Sequence, residues 1–304
     1  MGGFFKSTIE LLPDPLRERM VKGLVGIARR DGTGITPRKK YIRKLLRYLP
    51  PRDMRVVLEN VYGFRMELSP YSTIEKDVMV DSVFELRNSE LIRSALFEKP
   101  EGAVFLDLGA NVGYFSLLAA GVLAPRKGRV VAIEPVPPSL ERLRRNVSLN
   151  EDLKGIITVK GVAVSDSRKT LTLSMPVSTR GFATFSAAHR GGESISFDVP
   201  ADTLDGCIDG ETAGKVAFIK MDIEGAETLA IKGMECVLEN GPDVLLSLHP
   251  LELAELGGTV SAILGYFSNK GYTLYAIEGG GLKPFKESSV ITYTDVFMRR
   301  DGGC

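Results

Sequence analysis

The stretch that decides the fold is residues 105–116, which read FLDLGANVGYFS. Its apolar first part predicts a buried strand, the glycines at 109 and 113 predict a tight turn, and the apolar residues that follow predict a helix. A strand that turns directly into a helix is the unit from which parallel α/β sheets are built. The alternation continues through residues 129–270. The sequence therefore predicts a doubly wound α/β fold.

The turn at residues 109–113 has the features of a ligand-binding turn. Gly109 has no Cβ and lets the backbone approach a ligand closely, and the helix beyond offers unpaired N–H groups. A dinucleotide-binding turn needs glycines at its first, third and sixth positions, and the third and sixth here are Asn111 and Tyr114. With Asp107 beside the turn, the pattern disfavours a pyrophosphate and favours a cationic ligand. A plain strand–helix turn without a ligand is the alternative.

A second acidic residue supports this interpretation. The second predicted strand ends in Glu134, 21 residues after Gly113. A carboxylate at this place in a doubly wound fold accepts two hydrogen bonds from a ribose diol. An exposed glutamate at a strand end is the alternative for Glu134 alone. The turn and Glu134 together are more specific than either feature.

Four motifs give the chain a resemblance to a known family. They are DLGANVGYFSLLAA at residues 107–120, EPVPPSLERLRRNVSLN at 134–150, TLD at 203–205 and FIKMDIEGAETLAIKG at 218–233. On these motifs the chain resembles the FkbM-type family of S-adenosylmethionine-dependent methyltransferases over residues 55–300. The resemblance implies a class I methyltransferase fold, which is Rossmann-like, with a seven-stranded sheet whose last strand is antiparallel. It also implies S-adenosylmethionine as the cofactor.

The linker between the last two predicted strands agrees with this topology. Residues 279–289 read GGGLKPFKESS and have no apolar period. A parallel crossover needs a connection of about a dozen or more residues, usually a helix. We therefore expect the strand at 290–299 to return antiparallel to the sheet.

The resemblance also implies which residues bind the cofactor. The set is Asp107, Gly109, Ala110, Asn111 and Gly113 around the methionine part, Glu134 at the ribose, Ala163 and Val164 beside the adenine, and Asp222 facing the sulfonium or the amino group. The chain departs from the family at one point. Where the family commonly has a glutamate two residues before a histidine, this chain has Ser247-Leu248-His249.

The candidate catalytic residues follow two neighbouring predicted strands. Asp222 and Glu224 come after the strand at 216–221, and His249 comes after the strand at 244–248. Ligands of doubly wound folds bind at these carboxyl ends. Methyl transfer to a hydroxyl needs positioning of the acceptor and removal of its proton, which a carboxylate or an imidazole can do. For His249, a packing or capping role is the alternative.

A magnesium site at Asp222, Glu224 and Glu227 is a further hypothesis for the same strand end. Mg²⁺ needs oxygen ligands in a near-octahedral arrangement. Glu227 is better explained as an acidic residue in the first turn of the next helix, where it is favourable with the helix dipole. We therefore expect no metal in the site.

The expected function is O-methylation of a hydroxyl on a small molecule, a sugar or a lipid-linked glycan. Two other functions are alternatives to it. A non-catalytic binding protein with a vestigial methyltransferase fold is disfavoured because Asp107, Gly109 and Glu134 are all present. A dinucleotide-dependent oxidoreductase is disfavoured because the glycine pattern of that class is missing.

The composition excludes several other classes of protein. The 304 residues are 44% hydrophobic and 25% charged, which is ordinary for a globular chain and excludes a disordered or collagenous one. The longest apolar stretch is interrupted by polar residues and glycines, so no transmembrane helix is expected. The three cysteines have no CxxC spacing and the first six residues do not resemble a signal peptide. We expect a reduced, cytoplasmic chain.

The amino-terminal part of the chain differs in charge from the remainder. Residues 17–55 contain 13 basic and three acidic side chains, whereas the net charge of the whole chain is +1. We expect a basic helical extension at 1–50, a segment at 51–100 that packs on the catalytic domain, with strands at 54–68 and 73–80, and a methyltransferase domain at 101–304.

The predicted helix at residues 37–49 is both apolar and basic. Ile42, Leu45, Leu46 and Leu49 share one face, and six basic residues occupy the other. This composition fits a weak, peripheral contact with an anionic membrane. Docking on the rest of the protein is the plainer alternative. A nucleic-acid partner is the least expected, because the remaining 204 residues are net negative and no aromatic stacking platform accompanies the basic residues.

Overall fold

The computed structural model describes residues 13–32, 34–46, 54–176, 194–279, 281–290 and 292–300. The chain divides into two compact units, Met1–Ser89 and Glu90–Cys304. Within the described ranges, no helix is long and apolar enough to cross a membrane.

The first unit combines three helices with a β-hairpin. Its elements are α1 (Asp14–Arg29), α2 (Pro37–Leu46), β1 (Val56–Glu59), β2 (Arg65–Leu68) and α3 (Thr73–Asp81). The hairpin is antiparallel, with Val56 opposite Leu68. Helices α1 and α2 each have a proline in the first turn, where its missing N–H costs no helical hydrogen bond.

The strand predicted at residues 73–80 was wrong, because this segment is helix α3. The helix is capped by Ser72, whose hydroxyl accepts a hydrogen bond from the backbone N–H of Glu75. The Glu75 carboxylate in turn accepts a bond from the backbone of Ser69. A serine followed three residues later by a glutamate is a known start signal for a helix. Alternating apolar residues at 78 and 80 masked that signal.

The basic helix α2 does not present all of its basic residues to solvent. Lys39 is fully buried, with its ammonium 2.9 Å from Asp81 and hydrogen-bonded to a backbone carbonyl. Arg43 pairs with Asp77 and Asp81. Residues 47–49 of the predicted helix lie outside the described residues.

The second unit is built on an eight-stranded sheet. Its strands are β3 (Val104–Leu108), β4 (Arg129–Ile133), β5 (Ile157–Lys160), β9 (Val216–Met221), β10 (Asp243–Leu248), β11 (Tyr272–Glu278), β12 (Gly281–Pro284) and β13 (Thr294–Arg300). The spatial order is β12-β11-β13-β10-β9-β3-β4-β5. The five strands from β10 to β5 are mutually parallel.

Helices precede or connect these strands. They are α4 (Leu86–Glu98), α5 (Tyr114–Leu123), α6 (Pro137–Ser148), α7 (Glu151–Lys154), α8 (Leu204–Cys207), α9 (Gly210–Ala213), α10 (Glu227–Ala230), α11 (Glu235–Glu239), α12 (Pro250–Glu255) and α13 (Val260–Asn269). Every residue of β3 and β10 is buried, as expected of parallel strands covered on both faces. The main core joins alternate residues of the central strands, such as Leu106, Ile219 and Leu246, with residues of the later helices.

The predicted fold class is confirmed. Strand β13 lies between β10 and β11 and is antiparallel to both. The linker from 279 onward adds a short edge strand, β12, which pairs with β11 as a hairpin. Because that hairpin forms locally, the sheet gains an eighth strand without changing the arrangement of the other seven.

The chain between β5 and β9 forms a second, smaller sheet of three strands. It contains β6 (Ala163–Val164), β7 (Lys169–Pro176) and β8 (Ser194–Asp202) in the order β6-β8-β7. The single strand predicted at 156–164 is thus divided between two sheets. Ala163 and Val136 belong to the same small apolar core, together with residues of β7 and β8. This core supports the segment that follows Glu134.

Candidate active site

The glycine turn after β3 packs directly on the end of β9. The backbone N–H of Asp222 donates to the carbonyl of Leu108 over 2.9 Å. Gly109 has a φ of +80°, and a Cβ at that position would lie 1.9 Å from the carbonyl oxygen of Asp222. Asn111 also has a positive φ, of 49°, which asparagine tolerates better than most residues. The turn therefore needs both residue types as they stand.

Asp107 is a buried carboxylate with one oxygen left for a ligand. Its side chain is 1% exposed, and its Oδ2 accepts a 2.5 Å hydrogen bond from Ser116. Its Oδ1 has no hydrogen-bond partner among the described residues. Burial raises the pKa of Asp107, against the opposing effect of Lys220, which is its register neighbour on β9. An ammonium group from a ligand fits this orphaned oxygen.

Glu134 joins the turn to the end of β4. Its carboxylate accepts one backbone hydrogen bond from Asn111 over 2.8 Å and one from Val136 over 2.9 Å. Burial raises the pKa of Glu134 to about 7, even though both bonds oppose this change. Each carboxylate oxygen still has a second lone pair, so ribose hydroxyls can donate to the same group.

Asp222 is held between two cationic side chains. Its Oδ2 lies 3.1 Å from the ammonium of Lys220, and its Oδ1 lies 2.9 Å from Nε2 of His249. Lys220 is itself 2% exposed and lies over the ring of Phe115. Burial acts to raise the pKa of Asp222, but Lys220 and His249 outweigh it and hold that pKa below its usual range. Asp222 is therefore ionised at neutral pH.

His249 bridges the ends of the two strands. Its Nδ1 lies 3.4 Å from the Glu224 carboxylate, opposite the nitrogen that contacts Asp222. Burial acts to lower the pKa of His249, but the Asp222 hydrogen bond and the charge of Glu224 raise it to about 9. Glu224 has a φ of 51°, a strained value for a residue other than glycine. The imidazole thus holds two carboxylates as a cation.

Glu227 has a separate role at the start of α10. It is fully buried and lies in the first turn of that helix, as predicted. Its Oε1 accepts a hydrogen bond from the backbone N–H of Gly225. Burial raises the pKa of Glu227 to about 7. Glu227 therefore helps to shape the turn that carries Glu224.

A metal ion is geometrically conceivable at this cluster. Asp222, Glu224 and His249 each offer one ligand atom, and these atoms lie within 4.8 Å of one another. However, Lys220 and the imidazolium already balance the charge of the two carboxylates. The expectation of a metal-free site stays a prediction.

The structure brings the predicted catalytic residues together and adds several that the sequence did not reveal. Asp222, Glu224 and His249 form one cluster, in which His249 is hydrogen-bonded to Asp222 and forms an ion pair with Glu224. Ser116 was missed, although it lies in the first turn of the helix that follows Asp107. Tyr293 and Asp295 were also missed, because their position depends on how β13 pairs with β10. Predicted adenine neighbours Ala163 and Val164 are both buried in the small sheet.

The fold and the cofactor turn together define a class I methyltransferase, whose cofactor is S-adenosylmethionine. Within that class, the chain belongs to the methyltransferase FkbM domain family, whose family model matches residues 107–274. The oxygen of Asp107 that has no partner among the described residues fits the ammonium group of such a cofactor.

Three proteins illustrate the similarity. The hexuronic acid methyltransferase AglP of Haloferax volcanii is 23% identical over 188 residues, which are 60% of this chain and 73% of that protein. The methyltransferase sdnD of Sordaria araneosa is 25% identical over 189 residues, with 53% and 68% covered. The crystal structure of methyltransferase FkbM from Methylobacillus flagellatus has a TM-score of 0.41 and 19% identity, with 73% of this chain and 52% of that one covered. The chain thus spans about half the length of that protein.

Proposed function

We propose that this chain methylates a hydroxyl oxygen of a sugar, another small molecule or a lipid-linked glycan, with S-adenosylmethionine as methyl donor. The observation that carries the proposal is the cluster in which His249 joins the carboxylates of Asp222 and Glu224. This cluster lies at the carboxyl ends of β9 and β10, and Asp222 also contacts the cofactor turn. Acid–base groups and a cofactor turn at one sheet edge suit group transfer to a protic acceptor.

The cofactor would be held by residues of the turn and its neighbours. Asp107 would receive the ammonium of the methionine part at its unpartnered oxygen, and Glu134 would receive the ribose hydroxyls. Ala163 and Val164 would border the adenine. When bound, S-adenosylmethionine supplies an electrophilic methyl group.

The acid–base residues have different roles in this proposal. Asp222 is a weak base because Lys220 and His249 lower its pKa, so it acts by fixing charge and geometry beside the cofactor. Glu224, with its side chain partly accessible, would accept the proton of the acceptor hydroxyl. His249, held as a cation, would orient the Glu224 carboxylate. A base placed in this way contributes about 10²–10⁴ to the rate.

The AglP relative supports a sugar as the acceptor class, because its name states a hexuronic acid as its substrate. A hexuronic acid offers ring hydroxyls and a carboxylate, so the position of the methyl group must be determined. The alternatives are a binding protein without catalysis and a dinucleotide-dependent oxidoreductase. Calorimetry with S-adenosylhomocysteine and with NAD separates the oxidoreductase from the other two.

The test is incubation of the full chain with methyl-labelled S-adenosylmethionine and a panel of acceptors. The panel contains D-glucuronic acid, methyl β-D-glucopyranoside, catechol and a primary amine. We expect a methyl ether on a hydroxyl acceptor, located by NMR, and no transfer to the amine. Parallel reactions with EDTA should keep their rate, since the site balances its own charge. The assay is then repeated with glycans and metabolites extracted from cells. Transfer to the amine alone would contradict the proposal. So would the absence of transfer to any hydroxyl acceptor in the panel or in the extract.

A further inference from the structure

Tyr293 lies directly before β13. It is next to the group formed by Asp222, Glu224 and His249, which is called the catalytic cluster below. The pairing of β13 with β10 places Thr294 opposite Leu248 and Asp295 opposite Ser247. This register brings Tyr293 next to His249, and the two rings meet edge to face with their centroids 5.1 Å apart. Tyr293 lies outside the residues that the family model matches, which end at 274.

The hydroxyl of Tyr293 is fixed by two neighbours. It donates to the Asp295 carboxylate over 2.9 Å and lies 3.3 Å from the Ser247 hydroxyl. Ser247, which is fully buried, donates to the same carboxylate oxygen over 2.7 Å. Ser247 and Asp295 are cross-strand neighbours, so their side-chain hydrogen bond links β10 to β13. The ring of Tyr293 is thus anchored at its polar end.

Part of the Tyr293 side chain is exposed to solvent. Its exposed fraction is 44%, although the ring packs edge to face with His249 and the hydroxyl is hydrogen-bonded. An acceptor hydroxyl that reaches Glu224 must occupy the space around His249, which the ring of Tyr293 borders. Ligand sites generally combine such apolar walls with a few placed polar groups. The C–H face of a pyranose ring is a surface that packs well on an aromatic ring.

We propose that Tyr293 contacts the acceptor and selects one that carries a pyranose ring, and that Asp295 and Ser247 are positioning residues for Tyr293. This inference rests on the proposed transfer to a hydroxyl and narrows its acceptor class. Tyr293 supplies the apolar wall, and the catalytic cluster supplies the polar groups. An open-chain polyol has the same hydroxyls without the flat C–H face, so it should bind much more weakly.

Binding is measured without turnover, on the full chain saturated with S-adenosylhomocysteine. Saturation-transfer NMR compares methyl β-D-glucopyranoside and D-glucuronic acid with the open-chain polyol D-glucitol. We expect the pyranosides to bind and Tyr293→Ala to weaken them by about tenfold or more, which corresponds to about 1.4 kcal/mol. Tyr293→Leu, which keeps an apolar side chain of similar bulk without the aromatic ring, should show the same loss. Tyr293→Phe should lose less, because it keeps the ring.

Two substitutions of Asp295 test its role in positioning Tyr293. Asp295→Ala should weaken pyranoside binding as Tyr293→Ala does, and Asp295→Asn should restore most of it, since an amide oxygen still accepts the hydroxyl. In turnover assays the KM for the acceptor should rise in these variants while the KM for S-adenosylmethionine stays unchanged. Tyr41→Ala, at an exposed tyrosine on α2, is the matched control.

The failure of this inference is distinguishable from that of the proposed function. Pyranoside binding that is equal in wild type, Tyr293→Ala and Tyr293→Leu would overturn the role of Tyr293. Hydroxyl methylation of catechol without any pyranoside binding would overturn the acceptor class and leave the proposed function standing. Equal loss of S-adenosylhomocysteine binding in the Tyr293 variants would show a merely structural role. Pyranoside binding that depends on Tyr293, without methyl transfer, would contradict the proposed function alone.

Discussion

Individual residues set the chemistry of the site through burial and charge. Asp107 and Glu134 are buried carboxyl groups whose pKa values rise because burial penalises their ionised forms. Asp222 is partly buried, and its pKa falls because Lys220 and His249 lie within hydrogen-bonding distance and outweigh the effect of burial. The same residue type therefore has two electrostatic roles in one site. Asp107 has an oxygen without a partner among the described residues, whereas both oxygens of Asp222 are paired, with Lys220 and His249.

We predict that Glu134 makes cofactor affinity dependent on pH. In the proposed site, ribose hydroxyls would donate to the ionised carboxylate, and burial raises the pKa of Glu134 to about 7. Binding therefore favours deprotonation, and affinity should fall as the pH drops below about 7, by at most about tenfold per pH unit. Calorimetric titration with S-adenosylhomocysteine from about pH 8 to about pH 5.5 measures this dependence.

Two variants of Glu134 sharpen that measurement. Glu134→Gln should flatten the pH dependence, and Glu134→Ala should weaken binding by about 1–3 kcal/mol at pH 8 because ribose hydroxyls lose their acceptor. Circular dichroism controls for folding. Unchanged affinity in a folded Glu134→Ala protein would disprove the role of Glu134 at the ribose.

Asp222 and His249 should both matter for turnover, with Asp222 the more damaging to lose. Asp222→Asn removes the charge between Lys220 and His249, and we expect a loss in kcat of about 10²-fold or more. His249→Ala frees Glu224 and should cost less, at about tenfold or more. Asp152→Asn, at an exposed aspartate on α7, serves as the control. Wild-type turnover in His249→Ala would show that the histidine only packs the strand ends.

At the scale of elements, the strand–turn–helix unit from β3 to α5 was predictable because its signals are local. Glycines, an apolar strand and an apolar helix lie within 20 consecutive residues. The anchoring of Tyr293 by Ser247 and Asp295 was not predictable in the same way. It depends on the register of β13 against β10, which brings together residues 46–48 positions apart in the chain. Long-range register leaves no short-range signal in a single sequence.

The turn after β3 should tolerate no side chain at Gly109. Gly109→Ala would place a Cβ 1.9 Å from the Asp222 carbonyl oxygen, at a φ of +80°. We expect a loss of several kcal/mol in the free energy of unfolding, or a displaced turn that no longer binds S-adenosylhomocysteine. Gly121→Ala is the matched control, since helix α5 has nothing within 4 Å of the added methyl among described residues. It should stabilise the helix by up to about 1 kcal/mol.

Chemical denaturation of both variants, followed by calorimetry on those that fold, makes the comparison. A Gly109→Ala protein with wild-type stability and affinity would show that the turn relaxes without cost. If Gly121→Ala lost as much stability as Gly109→Ala, the loss could not be assigned to the conformation and packing of the turn at Gly109.

At the scale of the whole molecule, the sequence was informative about charge but not about which charges are paired. Residues 17–55 carry an excess of basic side chains. Within the first unit, however, Lys39 forms an ion pair with Asp81 and Arg43 forms one with Asp77. Those aspartates lie 34–42 residues further along the chain, so helical periodicity could not reveal the pairing. The sequence correctly predicted the fold of the second unit, whose signals recur with every strand and helix, and was wrong about the segment at 73–81.

Because of this pairing, only the exposed lysines and arginines of α2 could make the expected peripheral contact with an anionic membrane. Ile42 and Leu46 are buried, so α2 cannot insert these side chains into a bilayer as it stands. Lys40 and Lys44 remain exposed, and each contributes about 1 kcal/mol near anionic lipid. We predict weak binding to phosphatidylserine vesicles at low salt, with loss of binding at high salt because the attraction is purely electrostatic.

Sedimentation with vesicles of phosphatidylserine and phosphatidylcholine tests this prediction on the full chain. The Lys40→Glu, Lys44→Glu double variant reverses two charges on α2 and should no longer sediment at low salt. The Lys127→Glu, Lys232→Glu variant makes the same change in net charge at exposed lysines of the second unit, and it should sediment more nearly as wild type does. Equal loss in both variants would mean that net charge alone drives the contact. Sedimentation that survives high salt would mean that apolar insertion occurs after all, and that α2 must rearrange to allow it.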